Sequence, residues 1–366
     1  MTLNVQNEKL ASVRLYEAET SVATVAARHG LDPATVLDFS LNINPFGPPE
    51  GAIAAAREAL STGHLYPDLR FAALRQAVAR RHDVDEDALF FGAGLDDVIK
   101  LLIHAWTSEG DTVLVHIPTF PRYELEAGLR GCRVVAVESK TPTRTDLHAF
   151  PAVLARESVA LAFICSPNNP TGERFAVETI ADLATRHAET LFVVDEALID
   201  PATDGAMALP KRLRNVIVLR TFSKYFGLAG LRIGYAVADP KLVAIAEVGR
   251  PPFNLAAPSV SAAVAALADT AFLARCKATF ATESAFFADA IKTMPGLSIS
   301  GSNANMILLD LEKHQPGEAA ELLAAQGIIV ADATSFHGLE RYRSLRVSLR
   351  GRNDNERLIA ALRRIA

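Results

Sequence analysis

The segment ALAFICSPNNPTG, residues 160–172, joins a run of apolar residues to a turn built of proline, asparagine and glycine. A short apolar run that ends in such residues is typical of a buried β-strand followed by a tight loop. Two further apolar runs end in polar residues, LFVVDEA at residues 191–197 and VIVLRTFSK at residues 216–224. In open α/β folds the ligand binds at the carboxyl ends of the strands. The three runs therefore predict strands whose ends contribute to one site.

Apolar runs of this kind alternate with helical periodicity over most of the chain. In residues 71–81 and 177–187, for example, apolar residues recur at spacings of three and four. Such alternation is typical of a largely parallel sheet with helices on both faces. The predicted strands are residues 88–91, 112–116, 133–137, 160–165, 191–195, 216–219 and 233–237. Seven strands predict a large α/β domain of three layers, α/β/α, with a mostly parallel sheet.

After about residue 250 the pattern changes. An alanine-rich helical stretch at residues 259–293 precedes three short apolar runs and a final helical stretch at residues 355–365. The runs, at residues 306–311, 327–330 and 345–349, predict a small sheet. We therefore predict three units, since 366 residues exceed what one core usually fills. They are an N-terminal arm at residues 1–44, a large domain at 45–255 and a smaller α+β domain at 256–366.

Composition and charge exclude several classes of protein. Half of the residues are hydrophobic and 22% are charged, as in an ordinary globular chain. A formal net charge of −5 argues against nucleic acid as a partner. No apolar stretch has the length of a membrane span or a signal peptide, so we expect a cytoplasmic protein without a membrane partner. Three scattered cysteines and nine histidines form neither a disulfide framework nor a metal-ligand motif, and we expect no metal.

The predicted strand ends carry side chains that suit one cofactor. Asp195 ends a buried strand, and a buried carboxylate needs a partner. Lys224 follows Thr221 and Ser223, and Arg232 lies eight residues beyond the lysine. An aldehyde cofactor with a pyridine ring and a phosphate needs an amine, a carboxylate for the ring nitrogen, and hydroxyl and guanidinium groups for the phosphate. Each residue alone could be a turn, a cap or a surface side chain, but together they favour this cofactor.

The motifs SPNNPTG, VVDEA and TFSKYFGLAGLRIGY make the chain resemble the fold-type I pyridoxal-phosphate enzymes, the aspartate aminotransferase superfamily, from about residue 38 to its end. Within that superfamily it is most similar to histidinol-phosphate aminotransferases and to threonine-phosphate decarboxylases. The resemblance implies pyridoxal 5′-phosphate as the cofactor. It also implies that Lys224 forms the Schiff base and moves protons, that Asp195 pairs with the ring nitrogen, and that Asn169 donates to the phenolic oxygen.

The same resemblance assigns the remaining cofactor contacts. Phe120 would stack on the pyridine ring. Backbone amides at the start of a helix would join side chains in holding the phosphate. The residues implied for the phosphate are Thr221, Ser223, Arg232, Gly94, Leu95 and Asp96. A dinucleotide site at FGAGLDD, residues 91–97, is the weaker interpretation, because the third glycine of that fingerprint is missing.

Substrate and subunit contacts follow from the resemblance as well. Arg346 matches the arginine that binds the substrate carboxylate through a two-pronged ion pair, and Asn42 lies in the segment implied for substrate binding. Tyr66 matches a tyrosine that reaches the cofactor phosphate of the neighbouring subunit. The chain is therefore expected to form a homodimer with shared active sites that act on a small-molecule substrate.

The resemblance leaves the reaction open between two chemistries. An aminotransferase for a polar α-amino acid or amino alcohol, with or without a phosphate, is the leading interpretation, because the segment around Lys224 agrees with it. An O-phospho-amino-acid decarboxylase is the alternative. Leu198 favours it, since many aminotransferases have a tyrosine there, and so does Ile43 in place of an acidic residue. A non-catalytic cofactor-binding module and a dinucleotide-dependent oxidoreductase are weaker alternatives.

Overall fold

The computed structural model describes residues 20–141 and 146–366. The first 19 residues of the predicted arm lie outside the described residues. The strands are β1 (Leu37–Asp38), β2 (Leu89–Gly92), β3 (Thr112–Ile117), β4 (Arg133–Glu138), β5 (Val159–Cys165), β6 (Leu191–Asp195), β7 (Val216–Thr221), β8 (Gly234–Val237), β9 (Leu297–Ile299), β10 (Met306–Leu311), β11 (Ile328–Ile329), β12 (Ala331–Asp332) and β13 (Ser344–Ser348).

The α-helices lie between and after these strands. In chain order they are α1 (Val22–His29), α2 (Glu50–Ala59), α3 (Ala72–His82), α4 (Leu95–Trp106), α5 (Arg122–Arg130), α6 (Phe150–Leu154), α7 (Val177–Arg186), α8 (Pro240–Gly249), α9 (Ala257–Ala268), α10 (Thr270–Ile291), α11 (Pro316–Ala324) and α12 (Arg352–Ile365).

A seven-stranded sheet forms the centre of the larger part of the chain, in the order β2-β8-β7-β6-β5-β3-β4. Strands β3 to β7 run parallel to one another, and β8 runs antiparallel to both β2 and β7. Each strand begins and ends within two residues of its predicted limits. The prediction of a seven-stranded, mostly parallel sheet is confirmed.

Helices cover both faces of this sheet. Along β5 the side chains alternate, so that Leu161 and Phe163 pack on one face and Ala162 and Ile164 on the other. The first face packs against α4, α5 and α8, and the second against α3 and α7. Because apolar cover is present on both faces, the strands are mostly apolar on both sides, which is why the sequence shows runs rather than alternation.

The C-terminal part of the chain forms a second sheet, which is antiparallel and has the order β12-β13-β10-β9. Apolar side chains of α10 and α12 pack with those of β10 and β13 in one core. This agrees with the predicted α+β composition. The limits of the three units at residues 44 and 255 stay a prediction.

Two elements of this part differ from expectation. The single helix expected at residues 259–293 is two helices, α9 and α10, which meet at an angle of 74°. Asp269 lies at the break, where its carboxylate accepts a 2.9 Å hydrogen bond from the backbone N–H of Phe272 and caps α10. The run at residues 327–330 supplies β11, which pairs in parallel with β1 instead of joining the small sheet. The N-terminal segment is thereby tied to the C-terminal part.

Within residues 20–141 and 146–366, no single helix is long and apolar enough to cross a membrane. The bent pair α9 and α10 passes that test of length and composition when its two members are taken together. The same residues contain no group of three or more His, Cys, Asp or Glu side chains that could hold a metal ion.

Candidate active site

The carboxyl ends of β5, β6 and β7 lie side by side. The parallel register pairs Cys165 of β5 with Asp195 of β6, and Asp195 with Leu219 of β7. The loop at residues 166–172 continues from the first of these ends, and residues 221–224 continue from the third. The order of the strands therefore gathers the carboxylate, the amide-rich loop and the lysine segment at one edge of the sheet.

Asp195 is a buried carboxylate with two hydrogen-bond donors. It accepts a 2.7 Å hydrogen bond from the Tyr123 hydroxyl and a 2.8 Å hydrogen bond from the backbone N–H of Ala197. The pKa of Asp195 is raised to about 6, chiefly by burial. The two hydrogen bonds lower this pKa, whereas the negative charges of Asp96 and Glu196 raise it further. Among the described residues, no basic side chain forms an ion pair with Asp195. The carboxylate is thus suited to accept a hydrogen bond from a cationic nitrogen that enters the site, and to stabilise the positive charge there.

Lys224 is a half-buried lysine at the same edge. The pKa of Lys224 is lowered to about 8, chiefly by burial. The positive charges of Arg346 and Arg232 also lower this pKa, and the negative charges of Asp96 and Asp195 offset that effect only in part. Within the part of the chain that the structure describes, no carboxylate forms a salt bridge with this lysine. A lowered pKa leaves more of the amine neutral at neutral pH, which makes it a better nucleophile.

Arg346 of β13 connects the small sheet to this edge. Its Nη1 donates a 3.1 Å hydrogen bond to Oδ1 of Asn169, and its Nη2 donates to the backbone carbonyl of Ser40. The guanidinium carbon lies 5.5 Å from the centre of the Phe336 ring. Because Oδ1 of Asn169 accepts from the arginine, the amide N–H₂ of Asn169 is the end that can donate to a ligand.

Hydroxyls follow β7 at the predicted phosphate site. Oγ1 of Thr221 lies 3.0 Å from Oγ of Ser223 and accepts a 3.1 Å hydrogen bond from the backbone N–H of Ser223. The nearby Arg232 places Nη2 at 3.3 Å from Oδ2 of Asp96. Asp96 lies in the first turn of α4, where unpaired backbone amides favour an anion.

Gly94 stands at the start of α4 in close approach to Arg232. It has a φ of +86°, and a Cβ atom there would lie 2.4 Å from Nη2 of Arg232. Only glycine therefore allows the guanidinium to reach the helix N-terminus, next to Leu95 and Asp96. Hydroxyls, a guanidinium and helix amides together form a donor set that suits a phosphate.

Two of the remaining predicted residues lie near these groups. Oδ1 of Asn42, a buried residue, accepts a 2.7 Å hydrogen bond from the Ser348 hydroxyl, two residues along β13 from Arg346. Phe120 is half-buried and meets the Tyr123 ring edge-on at 5.7 Å. Asn42 is thus placed on the side of the small sheet and Phe120 on the side of α5.

Tyr66 is placed differently. It is 81% exposed and stacks on Phe253 with 4.6 Å between ring centres. Within the described part of the chain, Tyr66 forms no hydrogen bond and no ring contact with the groups around Lys224. Leu198, which occupies the position of the family tyrosine, is buried against Ala304 and Met306.

Sequence reasoning missed three buried polar groups at this edge. They are Tyr123, the Glu196–Arg220 ion pair at 2.8 Å, and Asn168, whose amide lies within 2.9 Å of the Thr119 hydroxyl. Tyr123 has no motif, because it is 72 residues from its partner Asp195. Glu196 and Arg220 could have been suspected, since each adjoins a residue assigned to the cofactor.

A sheet of this order, with an amine, a buried carboxylate and a phosphate donor set at its edge, defines a pyridoxal-phosphate enzyme of the aspartate aminotransferase fold. Residues 34–365 match the model of the family "Aminotransferase class I and II", and the chain belongs to that family. Its cofactor is pyridoxal 5′-phosphate, and its activity is amino-group transfer.

Known proteins similar to the chain agree with this assignment. It is 34% identical over 361 residues to the histidinol-phosphate aminotransferase of Anaeromyxobacter sp. (strain Fw109-5), covering 97% of each chain. The histidinol-phosphate aminotransferase of Sinorhizobium meliloti, solved in complex with pyridoxal-5′-phosphate, matches at a TM-score of 0.87 and 25% identity over 100% of this chain and 98% of that one. The L-threonine-O-3-phosphate decarboxylase of Porphyromonas gingivalis matches at a TM-score of 0.81 and 24% identity, over 90% of this chain and 99% of that one. At that identity the match shows the fold alone.

The residues present fit this cofactor. Asp195 is a buried acceptor that lacks a cationic partner among the described residues, and a protonated pyridine nitrogen would supply one. Lys224 would provide the amine, and Asn169 turns its donor end away from Arg346. The hydroxyls, Arg232 and the N-terminus of α4 supply what the phosphate requires.

Proposed function

We propose that the chain transfers the amino group of a polar, phosphate-bearing α-amino acid or amino alcohol, a class that includes histidinol phosphate. The names of its relatives support this class of substrate. At 34% identity over nearly the full length, the relative from Anaeromyxobacter is named for that substrate. The family membership shows amino-group transfer, and the proposal adds the class of substrate.

The observation that carries the proposal is the convergence of Lys224, Asp195, Asn169 and Arg346. The charges of Arg346 and Asp195 both act on the Lys224 amine, and Arg346 donates to Asn169. Two elements of the large sheet and one strand of the small sheet thus meet at one point. We assign Arg346 to an anionic group of the substrate, because a planar guanidinium can form a two-pronged bond with a carboxylate.

Each side chain has a separate chemical task. When bound, pyridoxal phosphate supplies an electron sink for negative charge at the substrate Cα. Lys224, with a pKa of about 8, can hold and return the Cα proton near neutral pH. Asp195 would keep a proton on the ring nitrogen, and Asn169 would donate to the phenolic oxygen. Phe120 would support the ring from one face.

The phosphate of the cofactor is assigned to the end of β7 and the start of α4. Thr221, Ser223 and Arg232 would donate from side chains, and the amides of Gly94, Leu95 and Asp96 from the helix N-terminus. Arg232 now bonds with Asp96 at 3.3 Å, so the phosphate would share the guanidinium with that carboxylate. Asn42 is assigned to the substrate side.

We infer that two chains combine to complete each site. Tyr66 stacks on Phe253 and both are exposed, as are Leu60, Leu65 and Leu69, which lie close to Tyr66 in the sequence. Large apolar side chains exposed this close together in the chain indicate an interaction site. A second copy of the chain would cover it and would bring Tyr66 to the partner's phosphate site. We place the resulting homodimer in the cytoplasm.

Decarboxylation of an O-phospho-amino acid is the second candidate reaction. Leu198 favours it, because this buried side chain offers no hydrogen bond to the phenolic oxygen. Asn169 is then the main donor to that oxygen. Which Cα bond breaks depends on the angle between that bond and the cofactor plane, and both reactions use Lys224 and Arg346.

A screen of amino donors tests the proposed substrate class. The cofactor-loaded protein is mixed with 2-oxoglutarate and, in turn, with histidinol phosphate, O-phospho-L-threonine and a set of unphosphorylated amino acids. Formation of glutamate, detected by mass spectrometry, should be fastest with a phosphorylated donor. If unphosphorylated donors react equally fast, the proposed class is wrong.

A further inference from the structure

A buried ion pair joins β6 and β7 directly behind the proposed cofactor site. Glu196 follows the last residue of β6, and Arg220 is the residue before the last of β7. Oε2 of Glu196 accepts from Nε of Arg220 at 3.0 Å and from Nη2 at 2.8 Å. Both side chains are at most 5% exposed. Two hydrogen bonds to one carboxylate oxygen fix the relative position of the two strands at this level.

The pair adjoins the residues that we assign to the cofactor. Glu196 follows Asp195, and Arg220 precedes Thr221. Since successive side chains of a strand point to opposite faces, the ion pair lies on the face away from Asp195 and Thr221. The backbone N–H of Glu196 donates to the carbonyl of Leu219 at 2.9 Å, which continues the ladder between the two strands.

The same pair holds the loop that follows β6. Oε1 of Glu196 accepts from the backbone N–H of Ala206 at 2.7 Å, and Nη2 of Arg220 donates to the carbonyls of Thr203 and Asp204 at 2.9 and 2.7 Å. A Cβ atom on Gly205 would lie 2.1 Å from Oε1 of Glu196. The loop therefore wraps closely around the ion pair.

Stability alone is a weak reason for such a pair. Removing two charges from water costs free energy that the attraction between them only partly returns, and apolar replacements of buried pairs are often neutral or stabilising. Here one Arg220 nitrogen, Nη1, is buried and has no hydrogen-bond partner in the described structure. Arg220 and Glu196 line a small cavity together with Arg81, His82 and Tyr235.

We propose that Glu196 and Arg220 are a positioning pair that fixes the distance between Asp195 and Thr221, and with it the fit of both ends of the cofactor. By the assignments above, β6 would hold the ring nitrogen of pyridoxal phosphate and β7 would hold its phosphate. Because the ring is rigid, the two strands must keep one separation. The proposal rests on the cofactor assignments given above.

Glu196→Gln tests this pair, with Glu283→Gln as its matched control. Glu283 is an equally buried carboxylate in the C-terminal part of the chain, and it pairs at 3.0 Å with Arg352, whose side chain is partly exposed. The cofactor-free proteins are titrated with pyridoxal phosphate, and the loaded proteins are titrated with acid to find the pH at which the lysine-bound cofactor changes its absorbance. Thermal unfolding of each cofactor-free protein is measured in parallel.

Glu196→Gln should raise the dissociation constant for pyridoxal phosphate at least tenfold and shift the pH of the absorbance change. Glu283→Gln should leave the dissociation constant within twofold and the pH of the absorbance change within 0.2 units, even where it lowers the melting temperature as much. A tenfold change in the dissociation constant corresponds to about 1.4 kcal/mol, a twofold change to about 0.4 kcal/mol, and 0.2 pH units to about 0.3 kcal/mol. If Glu196→Gln changes only the melting temperature, the pair is merely structural and the proposal is overturned.

Glu196→Asp covers the case in which Glu196→Gln does not fold. It keeps the charge but shortens the side chain by one methylene, so it alters position alone. We expect it also to weaken cofactor binding, and unchanged binding would overturn the proposal. A failed cofactor assignment looks different, because the unaltered protein would then show no Lys224-dependent absorbance band with pyridoxal phosphate.

Discussion

The hydroxyl of Tyr123 donates a 2.7 Å hydrogen bond to Oδ2 of Asp195, and both side chains are buried. The tyrosine ring is held by stacking on Phe163, with 4.6 Å between ring centres. Burial raises the pKa of Tyr123 well above its usual range, so the phenol stays a donor. A fixed donor keeps the Asp195 carboxylate ionised against the effect of its burial, which is the state that a protonated ring nitrogen requires.

Tyr123→Phe should therefore lower the turnover number. A hydrogen bond to a charged group contributes about 1.5–3 kcal/mol, which corresponds to roughly a tenfold to hundredfold loss. The Michaelis constant should change little, because Tyr123 is assigned to Asp195 and not to the substrate. Tyr235→Phe is the control, since its buried hydroxyl bonds to His82 at 2.8 Å on another side of the sheet. Equal losses in both variants would contradict this role.

Asp195→Asn should change how the stability of the cofactor-free protein depends on pH. The pKa of Asp195 is raised to about 6 in the folded protein. The folded state therefore holds the proton more tightly than the unfolded state, and stability falls as the pH rises from about 4 to about 6. The variant lacks this loss, so its stability relative to the unaltered protein should rise over that range by up to about 3 kcal/mol.

Urea unfolding of the cofactor-free proteins between pH 4 and pH 8 measures this difference. The gap between variant and unaltered protein should widen up to about pH 6 and stay constant above it. A gap that does not change with pH would show that Asp195 is ionised normally despite its burial. The same variant should bind pyridoxal phosphate more weakly.

Arg346→Lys and Arg346→Ala should both raise the Michaelis constant for an amino-acid substrate. Lysine keeps the charge but cannot form the two-pronged bond, so its effect should be the smaller of the two. Loss of bonds worth about 1.5–3 kcal/mol each predicts a rise of tenfold or more for the alanine variant. Arg350→Lys is the control, because Arg350 bonds to Asp354 and to the carbonyl of Asp38. Steady-state kinetics with unchanged constants for Arg346→Ala would reject the assignment.

A mixing experiment tests the shared site. Lys224→Ala and Tyr66→Ala are each expected to be inactive or strongly impaired. When the two proteins are unfolded together and refolded, mixed dimers should regain activity, because one of their two sites then contains both native residues. If Tyr66 serves the site of its own chain, every site in the mixed dimer lacks one residue and no activity returns.

Much of the fold follows from local patterns in the sequence. The seven central strands were predicted within two residues because their apolar runs are bounded by turns and polar residues. The break at Asp269 was missed, since a single capping aspartate in an alanine-rich stretch does not interrupt the helical periodicity. The pairing of β11 with β1 depends on residues almost 300 positions apart, which no local pattern reports.

In the candidate site, too, local sequence patterns indicate some residues, whereas others are recognised only from the folded structure. Asp195, Lys224 and Asn169 lie in motifs next to strand ends, so both the strand order and the resemblance indicate them. Tyr123 reaches Asp195 only because α5 packs across β5, a contact that depends on the complete fold. Tyr66 lies on an exposed surface, so one chain alone does not display its assigned role.

The half-reaction in the absence of any keto acid tests the central claim most directly. The cofactor-loaded protein is mixed with each amino acid or phosphorylated donor, and the absorbance of the cofactor, the organic product and released CO₂ are measured together. Amino transfer predicts one oxo product per subunit, a cofactor left in its amine form, and no CO₂. Repeated turnover that releases CO₂ and an amine, with the cofactor restored each time, would contradict the account and establish the decarboxylase.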